Sequence, residues 1–542
     1  MSKTFARDAT GLVREIGWFT AMTTVMCYVI GGGINLHSVR DFPGAGWGAN
    51  IPLGFAIGAI PAICTAWAFA LLATSMPRSG GPYVWVSRVL GPYAGFVASW
   101  AWWFGTATAY GSLAVWDVWF WGLCLQLAGA STNNVATYNA GTVMANNPVA
   151  WIVIGLIILV IFWALAIMGV DIYGKVLNAM FIVAIIGSFI TMGVYAGAMM
   201  GGGEAAMASA WNSSPFGNPA TQFYYASYDQ VMAAGAPGWT APFSWSATLT
   251  FMAVGAIWAY IGYTATAFIG GEVKTPKRNM LIGLGLGTVL IAVFYVTISG
   301  LMYGSVGNFV KAYAYCDANS IVINGNTPSV VAVLPTFAAI LVHGNPAVAV
   351  YIAITGAIWL ANDIPPFLIT SSRTLFAWAF DRAFPLRFAE VSDRWHSPVW
   401  AINLTAFLGI LGVFQTTGED MGVTPILGTW FAVVATQTFM DVVMMWTGCL
   451  TAMMLPYMRK DLFEKGAAFK LGPVPLLAVL GFIGFVSNTY VLVVSGAATV
   501  PGGVPVIMVW FTLSVIVWLW MQTKNREMGI DVDTIYAEIP PE

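Results

Sequence analysis

Apolar residues in this chain do not alternate with polar ones, nor do they recur on one side of a helical wheel. They fill unbroken runs of about 18 to 36 residues divided by short polar connections, and a run that is apolar all round at about 20 residues matches the hydrocarbon core of a bilayer. Twelve such runs are expected, over residues 17–39, 51–74, 92–127, 149–169, 175–199, 244–269, 280–304, 346–378, 399–416, 427–455, 475–497 and 504–521, here called segments 1 to 12. The pattern predicts an all-α polytopic membrane protein. The apolar stretch 330–342 is too short to span and predicts an interfacial or re-entrant helix between segments 7 and 8, a candidate lid.

Charge fixes the orientation. Loops on the cytoplasmic side are enriched in Lys and Arg, and with both termini inside, every one of the 21 positives except Arg40 and Lys311 falls on that side. One crossing more or fewer scrambles this pattern. The expected location is the cell membrane, multi-pass, with both termini cytoplasmic. The first run is too long for a signal-peptide core and lacks a small-residue cleavage pattern, so it is expected to remain on the chain.

Composition narrows the class further. The chain is 58% hydrophobic and 8% charged with a net charge of −2, which excludes a water-soluble domain and, with no basic cluster, a nucleic-acid partner. The five cysteines are scattered, and the three histidines (His37, His343, His396) have no partners at metal-ligand spacing, so neither a disulfide framework nor a metal site is expected. Gly283 to Gly287 (GLGLG) lies inside segment 7 with no strand before it and is not a nucleotide loop. The loop 201–243 carries no positive residue and contains Asn212-Ser-Ser, which fits a glycosylation acceptor. The tail after Lys524 is polar and predicted to be flexible.

Two runs are interrupted. Segment 1 holds three consecutive glycines, Gly31 to Gly33, where each costs about 1 kcal/mol relative to Ala. Segment 6 holds WAYIGYTATAFIGGE, Trp258 to Glu272, and each of the two opens a set of five runs. Glycine-interrupted spans at matching positions of two halves point to an inverted-repeat transporter with a site near the midplane. A broken helix frees N–H groups at one new end and C=O groups at the other; anions suit the first and cations the second, so a zwitterion such as an amino acid satisfies both. Close helix packing through glycines is the competing explanation.

Four stretches then carry a resemblance over nearly the whole chain: VIGGGI (Val29 to Ile34), PRSGGPYVWVSRVLGP (Pro77 to Pro92), WAYIGYTATAFIGGEVKTPKRN (Trp258 to Asn279) and SRTLFAWAFDRAFP (Ser372 to Pro385). In order and spacing the chain resembles the amino acid permeases of the amino acid–polyamine–organocation superfamily. The resemblance implies a LeuT-type 5+5 inverted repeat, with two C-terminal helices added, working by alternating access. It divides the chain into a tail (1–16), a first repeat (17–199), an outer loop (200–243), a second repeat (244–457), the last two helices (474–522) and a second tail (523–542).

Transferred by position, the resemblance implies a substrate site. Backbone around Val29, Gly32 and Gly33 would hold a carboxylate, and carbonyls near Trp258, Ala259 and Ile261 an ammonium. Gly31, Ile34, Tyr260, Gly262 and Thr264 complete the two breaks, Trp258 occupies the place of an aromatic gate, and Thr106, Tyr110 and Phe367 would shape the side-chain pocket. Two features depart from the family pattern. Gly262-Tyr263 is followed by Thr264 where many relatives carry an acid, and segment 5 is uncharged past Lys175 where some proton-driven relatives carry a lysine.

Three aspartates lie within runs: Asp117 in the outer third of segment 3, Asp363 mid-way along segment 8 and Asp441 mid-way along segment 10. A carboxylate at a helix centre costs about 2.5 to 3.5 kcal/mol on insertion scales. With no Lys or Arg at matching depth, such a group either keeps its proton or binds a cation. The resemblance puts Asp363 beside the break in segment 1, which makes it the foremost candidate for proton coupling or for contact with a cationic substrate. The expected activity is secondary active transport of amino acids or related amines. Ion-coupled symport, with a proton or sodium ion, is favoured over exchange. A sensor built on a transporter scaffold is the rival from another class, and a membrane enzyme lacks a clustered catalytic set. No cofactor is expected, the partners are the substrate and the lipid bilayer, and the oligomeric state is left open.

Overall fold

The computed structural model describes residues 11–422, 433–499, 503–537 and 539. Among these, eleven helices are long and apolar enough to cross a membrane. They coincide with every expected segment except the sixth, which is divided. Segment 6 is helical over Trp245–Phe251, Met252–Ala256 and Ile257–Tyr260, leaves the helix at Ile261 and resumes over Ala265–Phe268. Segment 1 is divided too, into Trp18–Val29 and a second piece over Gly33–His37 and Ser38–Arg40. The expected first residues of segment 10 (427–432), and Lys3 and Arg7, lie outside the described residues.

Helix starts follow local chemistry. Asn147 accepts from the backbone N–H groups of Val149 and Ala150 (2.8 and 3.2 Å) ahead of Pro148, opening segment 4 (Pro148–Ile167). Asn345-Pro346 opens segment 8 (Pro346–Phe380) in the same way. An Asn side chain replaces the missing intrahelical acceptor, and Pro at the first position gives up an N–H that would have no partner there.

Burial sorts the helices into interior and rim. The most apolar stretches of segments 1, 3 and 8 are 78%, 72% and 67% buried within the protein, whereas those of segments 11 and 12 are 28% and 17% buried. The exposed side chains of the outer helices are almost all Val, Ile, Phe, Leu and Met, which suits a lipid-facing surface. In segment 7 (Pro276–Ala318) the GLGLG glycines serve contact: a Cβ on Gly283 would stand 3.1 Å from Ala21 backbone, and one on Gly285 2.7 Å from the Trp67 ring.

Both described ends of the chain pack on one face. Glu15 and Ile16 donate backbone N–H groups to the Glu272 carbonyl (3.0 Å each), and Lys274 N–H returns one to Ile16 (2.8 Å). The sequence predicts a flexible tail after Lys524, but Val532–Ala537 is helical and Tyr536 is buried. Its hydroxyl lies 3.0 Å from that of Tyr83 and its ring lies under Arg88. Ile535 and Tyr536 are apolar enough to dock although the tail around them is polar.

Two fully buried ion pairs close this face. Arg373 grips Glu272 through two hydrogen bonds (2.8 and 3.0 Å), and Arg88 grips Asp381 through both guanidinium nitrogens. The opposite face carries the outer loop, which contains helices Glu204–Ser213, Tyr228–Ala234 and Ala236–Trp239. The short apolar stretch forms the helix Leu334–Leu341, whose residues through Ile340 are all buried. Removing one partner of a buried ion pair leaves the other charge without compensation, at a cost of about 3 to 5 kcal/mol. Glu272→Gln is expected to lower the midpoint of thermal unfolding in detergent markedly, with Glu272→Gln/Arg373→Met recovering part of the loss.

Candidate functional site at the two helix breaks

The two interruptions meet. Gly33, at the start of the second half of segment 1, lies so close to segment 6 that an added Cβ would stand 2.6 Å from Ala259 Cα. At Gly31 a Cβ would overlap the Asp363 carboxylate of segment 8, and at Gly32 it would stand 3.3 Å from Leu360. Gly262 takes a φ of +107°, open to glycine without strain, and lies against the Tyr28 ring. Glycine is therefore needed at these positions for close approach, and at Gly262 for backbone conformation as well.

One hydroxyl serves both breaks. Tyr295 of segment 7 places its oxygen 2.6 Å from the Val29 carbonyl and 2.9 Å from the Ala259 carbonyl, the ends of the two first half-helices. A phenol has one proton to donate, so only one of these carbonyls is satisfied at a time by this group. Tyr295 is not among the expected site residues; it is one of two tyrosines, with Tyr303, in the apolar run of segment 7.

A chamber of about 30 Å³ lies beside the breaks. Of the expected residues, Val29, Gly33, Trp258, Ala259, Ile261, Phe367, Asp363 and Asp441 line it; Tyr28, Ala109, Leu113, Trp116 and Gln437 line it as well and were not anticipated. The Tyr28 and Phe367 rings stack at 4.0 Å. Asp363 is 5% exposed, and its Oδ1 is buried without a hydrogen-bond partner among the described residues. Asp441 accepts from Thr106 (3.2 Å), which therefore stands behind the carboxylate and does not line the wall.

Several expected residues face elsewhere. Tyr110 directs its hydroxyl to the Leu159 carbonyl of segment 4 (2.6 Å), and Tyr260 directs its own to Phe55 of segment 2 (3.1 Å). Thr264 turns toward the Met445 sulfur (3.5 Å), and Ile34 is buried away from the chamber wall. Asp117 is buried in segment 3 with Oδ1 unpartnered among the described residues, outside the chamber.

Beyond the chamber, toward the outer-loop face, lies a second cavity of about 540 Å³ bounded by residues that include Leu36, His37, Arg40, Asp41, Trp116 and Asp420. Trp116 borders both spaces. It meets Trp258 edge-on at 5.9 Å, and Trp258 in turn packs on His37 at 4.4 Å. His37 is held by Asp41 (2.7 Å) and Trp116 by Asp420 (2.8 Å). The partition is thus one layer of aromatic side chains, while the other face is closed by several packed helices and two ion pairs. A volume of 30 Å³ holds one or two waters, so anything larger enters only when this layer moves.

A family model described as amino acid permease matches residues 16–523. Among curated proteins the chain is 24% identical over 169 residues to cationic amino acid transporter 3, mitochondrial, of Arabidopsis thaliana, covering 31% of this chain and 25% of that one. It is 27% identical over 171 residues to cationic amino acid transporter 4, vacuolar, of the same plant, covering 31% and 24%. It is 25% identical over 185 residues to the methylthioribose transporter of Bacillus subtilis (strain 168), covering 32% and 36%. These matches span about a quarter to a third of the relatives' lengths.

The single aromatic layer generates a prediction. Trp258→Ala should join the two cavities, so a Leu113→Cys thiol reacts rapidly with an impermeant maleimide applied from the outer-loop face. In the Leu113→Cys protein with Trp258 intact the reaction should be slow; equal rates would show that Trp258 is not the barrier.

Proposed function

Because the chain belongs to the amino acid permease family, we propose that it is a secondary active transporter carrying an amino acid or related amine across the cell membrane by alternating access, with both termini in the cytoplasm. The observation that carries this reading is the meeting of two helix breaks on a closed chamber that also holds Asp363 and Asp441.

The proposed architecture has twelve crossings, with the divided segment 6 as the twelfth. Support comes from the two chain ends packing on one face, which calls for an even number. The breaks open segments 1 and 6, five crossings apart, in keeping with a 5+5 repeat followed by segments 11 and 12. The face that carries the ends also carries Arg14, Arg88, Lys274 and Arg373, as the cytoplasmic face should.

In the proposed bound state the substrate carboxylate meets the free N–H groups at Gly32 and Gly33, where the helix dipole is positive. The ammonium faces the carbonyl end of the first half of segment 6, at Trp258 and Ala259, with the Asp363 carboxylate beside it. The side chain lies among Tyr28, Phe367, Ala109 and Leu113. Two acidic groups and no basic one on the wall favour an amine carrying net positive charge. Coupling is proposed to be proton symport, with Asp441 as the proton carrier. It faces the same chamber and accepts a hydrogen bond from Thr106.

Uptake by the purified protein in liposomes, screened over cationic and neutral amino acids and diamines under proton or sodium gradients, tests this. Cationic substrates are expected to accumulate under an inward proton gradient; movement of no amine under either gradient would refute the reading. Asp363→Asn removes a charged hydrogen-bond partner worth about 1.5 to 3 kcal/mol, which raises KM for the cationic substrate roughly ten- to a hundred-fold.

A further inference from the structure

Behind the aromatic partition runs a second polar connection between the outer cavity and the chamber. Trp116, Ser112 and Thr108 stand at four-residue intervals on one side of segment 3 (Pro92–Ser131), facing segments 9 (Val399–Asp420) and 10 (Val433–Met458). Trp116 donates to Asp420 at 2.8 Å on the outer cavity. One turn deeper, Thr416 donates to Ser112 at 2.8 Å. Gln437 reaches across from segment 10 to both Ser112 (3.3 Å) and Thr108 (3.4 Å), and Thr106 donates to Asp441 at 3.2 Å.

These rungs are buried: Ser112 is fully covered, and Thr108, Thr416 and Gln437 are nearly so. Beside them a small space of about 10 Å³, the size of one water, is bounded by Gly105, Thr108, Gln415, Thr436 and Gln437 together with Phe104 and Met440. Thr436 Oγ1 is buried there without a partner among the described residues. Gln437 bounds both this space and the chamber that holds Asp441, and a Cβ on Gly105 would stand 3.5 Å from Asp441 Oδ1.

Helix packing alone does not call for so many hydroxyls. Segments 3 and 9 already approach through glycine, Gly111 against the Gly409 carbonyl and Gly412 against that of Thr108, and small residues suffice for such contacts in membranes. Serine and threonine are common at such contacts, but a buried hydroxyl without a partner among the described residues and a glutamine bridging two rungs are not explained by close packing.

We propose that this ladder conducts protons between the outer cavity and Asp441 while the Trp116–Trp258 partition stays closed. The inference rests on the symport reading of Asp441 above. A proton from the outer cavity, passed inward by way of the Asp420 carboxylate one turn away on segment 9, binds the Thr416 hydroxyl oxygen as that hydroxyl passes its own proton to Ser112. Ser112 passes one to a water in the small space, and that water delivers one to an Asp441 oxygen. The Gln437 amide orients these groups without changing protonation. Each hydroxyl gains one proton and loses one, so the net change is one proton transferred from outer water to the carboxylate. The titratable groups facing Asp441 are Asp363 across the chamber and the phenols of Tyr28 and Tyr263.

Infrared spectroscopy of the full-length protein in liposomes reads this directly. The carboxyl band of Asp441 is assigned by its loss in Asp441→Asn, and its shift is timed after exchange of the outer medium from H2O to D2O. Thr416→Val and Ser112→Ala are expected to slow the shift several-fold, and Thr416→Ser to restore it. An unchanged rate in both hydroxyl-free variants, or the absence of an exchangeable Asp441 band in the unmodified protein, would overturn the ladder. Substrate uptake without accompanying proton influx into the same liposomes would instead refute symport, leaving the exchange rate as a separate measure of the route.

Discussion

Backbone N–H and C=O groups inside a bilayer have no water to turn to, and each one left unpaired costs several kcal/mol. The interior of this protein is arranged around that constraint. Two spans give up their helical hydrogen bonds near their middles, and the freed groups must be satisfied by protein or by what the protein binds. The solution is to place the breaks against each other, Gly33 on Ala259, and to let one hydroxyl, Tyr295, reach the carbonyl at the end of each first half-helix. The Val29 carbonyl also accepts the Gly31 N–H at 3.0 Å, so when the Tyr295 proton turns to Val29 it is the Ala259 carbonyl that loses this donor. In the proposed bound state a substrate ammonium supplies donors at that carbonyl.

The same geometry explains why the two faces differ. On the face holding the chain ends, segment 6 passes from its break into Glu272, which takes Arg373 from segment 8 and the backbone of residues 15 and 16. Arg88 and Asp381 form a second lock a short distance away, with Tyr536 beneath it. Opening that face separates buried charges from their partners. On the other face the obstacle is Trp258 with Trp116 and His37, which are held by contact and single hydrogen bonds. Fewer polar contacts hold the outer-cavity side closed than hold the other face, and in the proposed alternating access bound substrate would offset the loss of the ion pairs.

The spans were legible in the sequence because a helix apolar all round leaves an unmistakable run, and both breaks were legible because glycines punctuate such runs. Both divided segments, 1 and 6, carry glycine at the break, Gly31 to Gly33 in one and Gly262 in the other. What could not be read was facing. A helix apolar on every side has no polar stripe from which to infer what looks inward, so Ala109, Leu113 and Trp116 were invisible as chamber residues while Tyr110, one position from Ala109, points to segment 4. Gln437 was readable in principle: a glutamine one turn before Asp441 shares its side of the helix. The docked tail escaped because two apolar residues within a polar stretch give no periodic signal.

Where the polar residues lie also separates two jobs that one acidic group could not perform together. Asp363 sits at the segment 1 break with Oδ1 unpartnered among the described residues, next to the glycine whose lack of a Cβ makes room for it. Asp441 sits across the chamber with Thr106 behind it and the rungs of segments 3, 9 and 10 leading away. A group that holds a cationic substrate must stay charged while the substrate is bound, whereas a group that carries a proton must alternate. In the proposed reading Asp363, against the broken backbone, takes the first role and Asp441, beside the hydroxyl ladder, the second, so that each responds to a different species. The occupancy of one then alters the electrostatic cost of charging the other, and that mutual dependence is what coupling between two bound species requires.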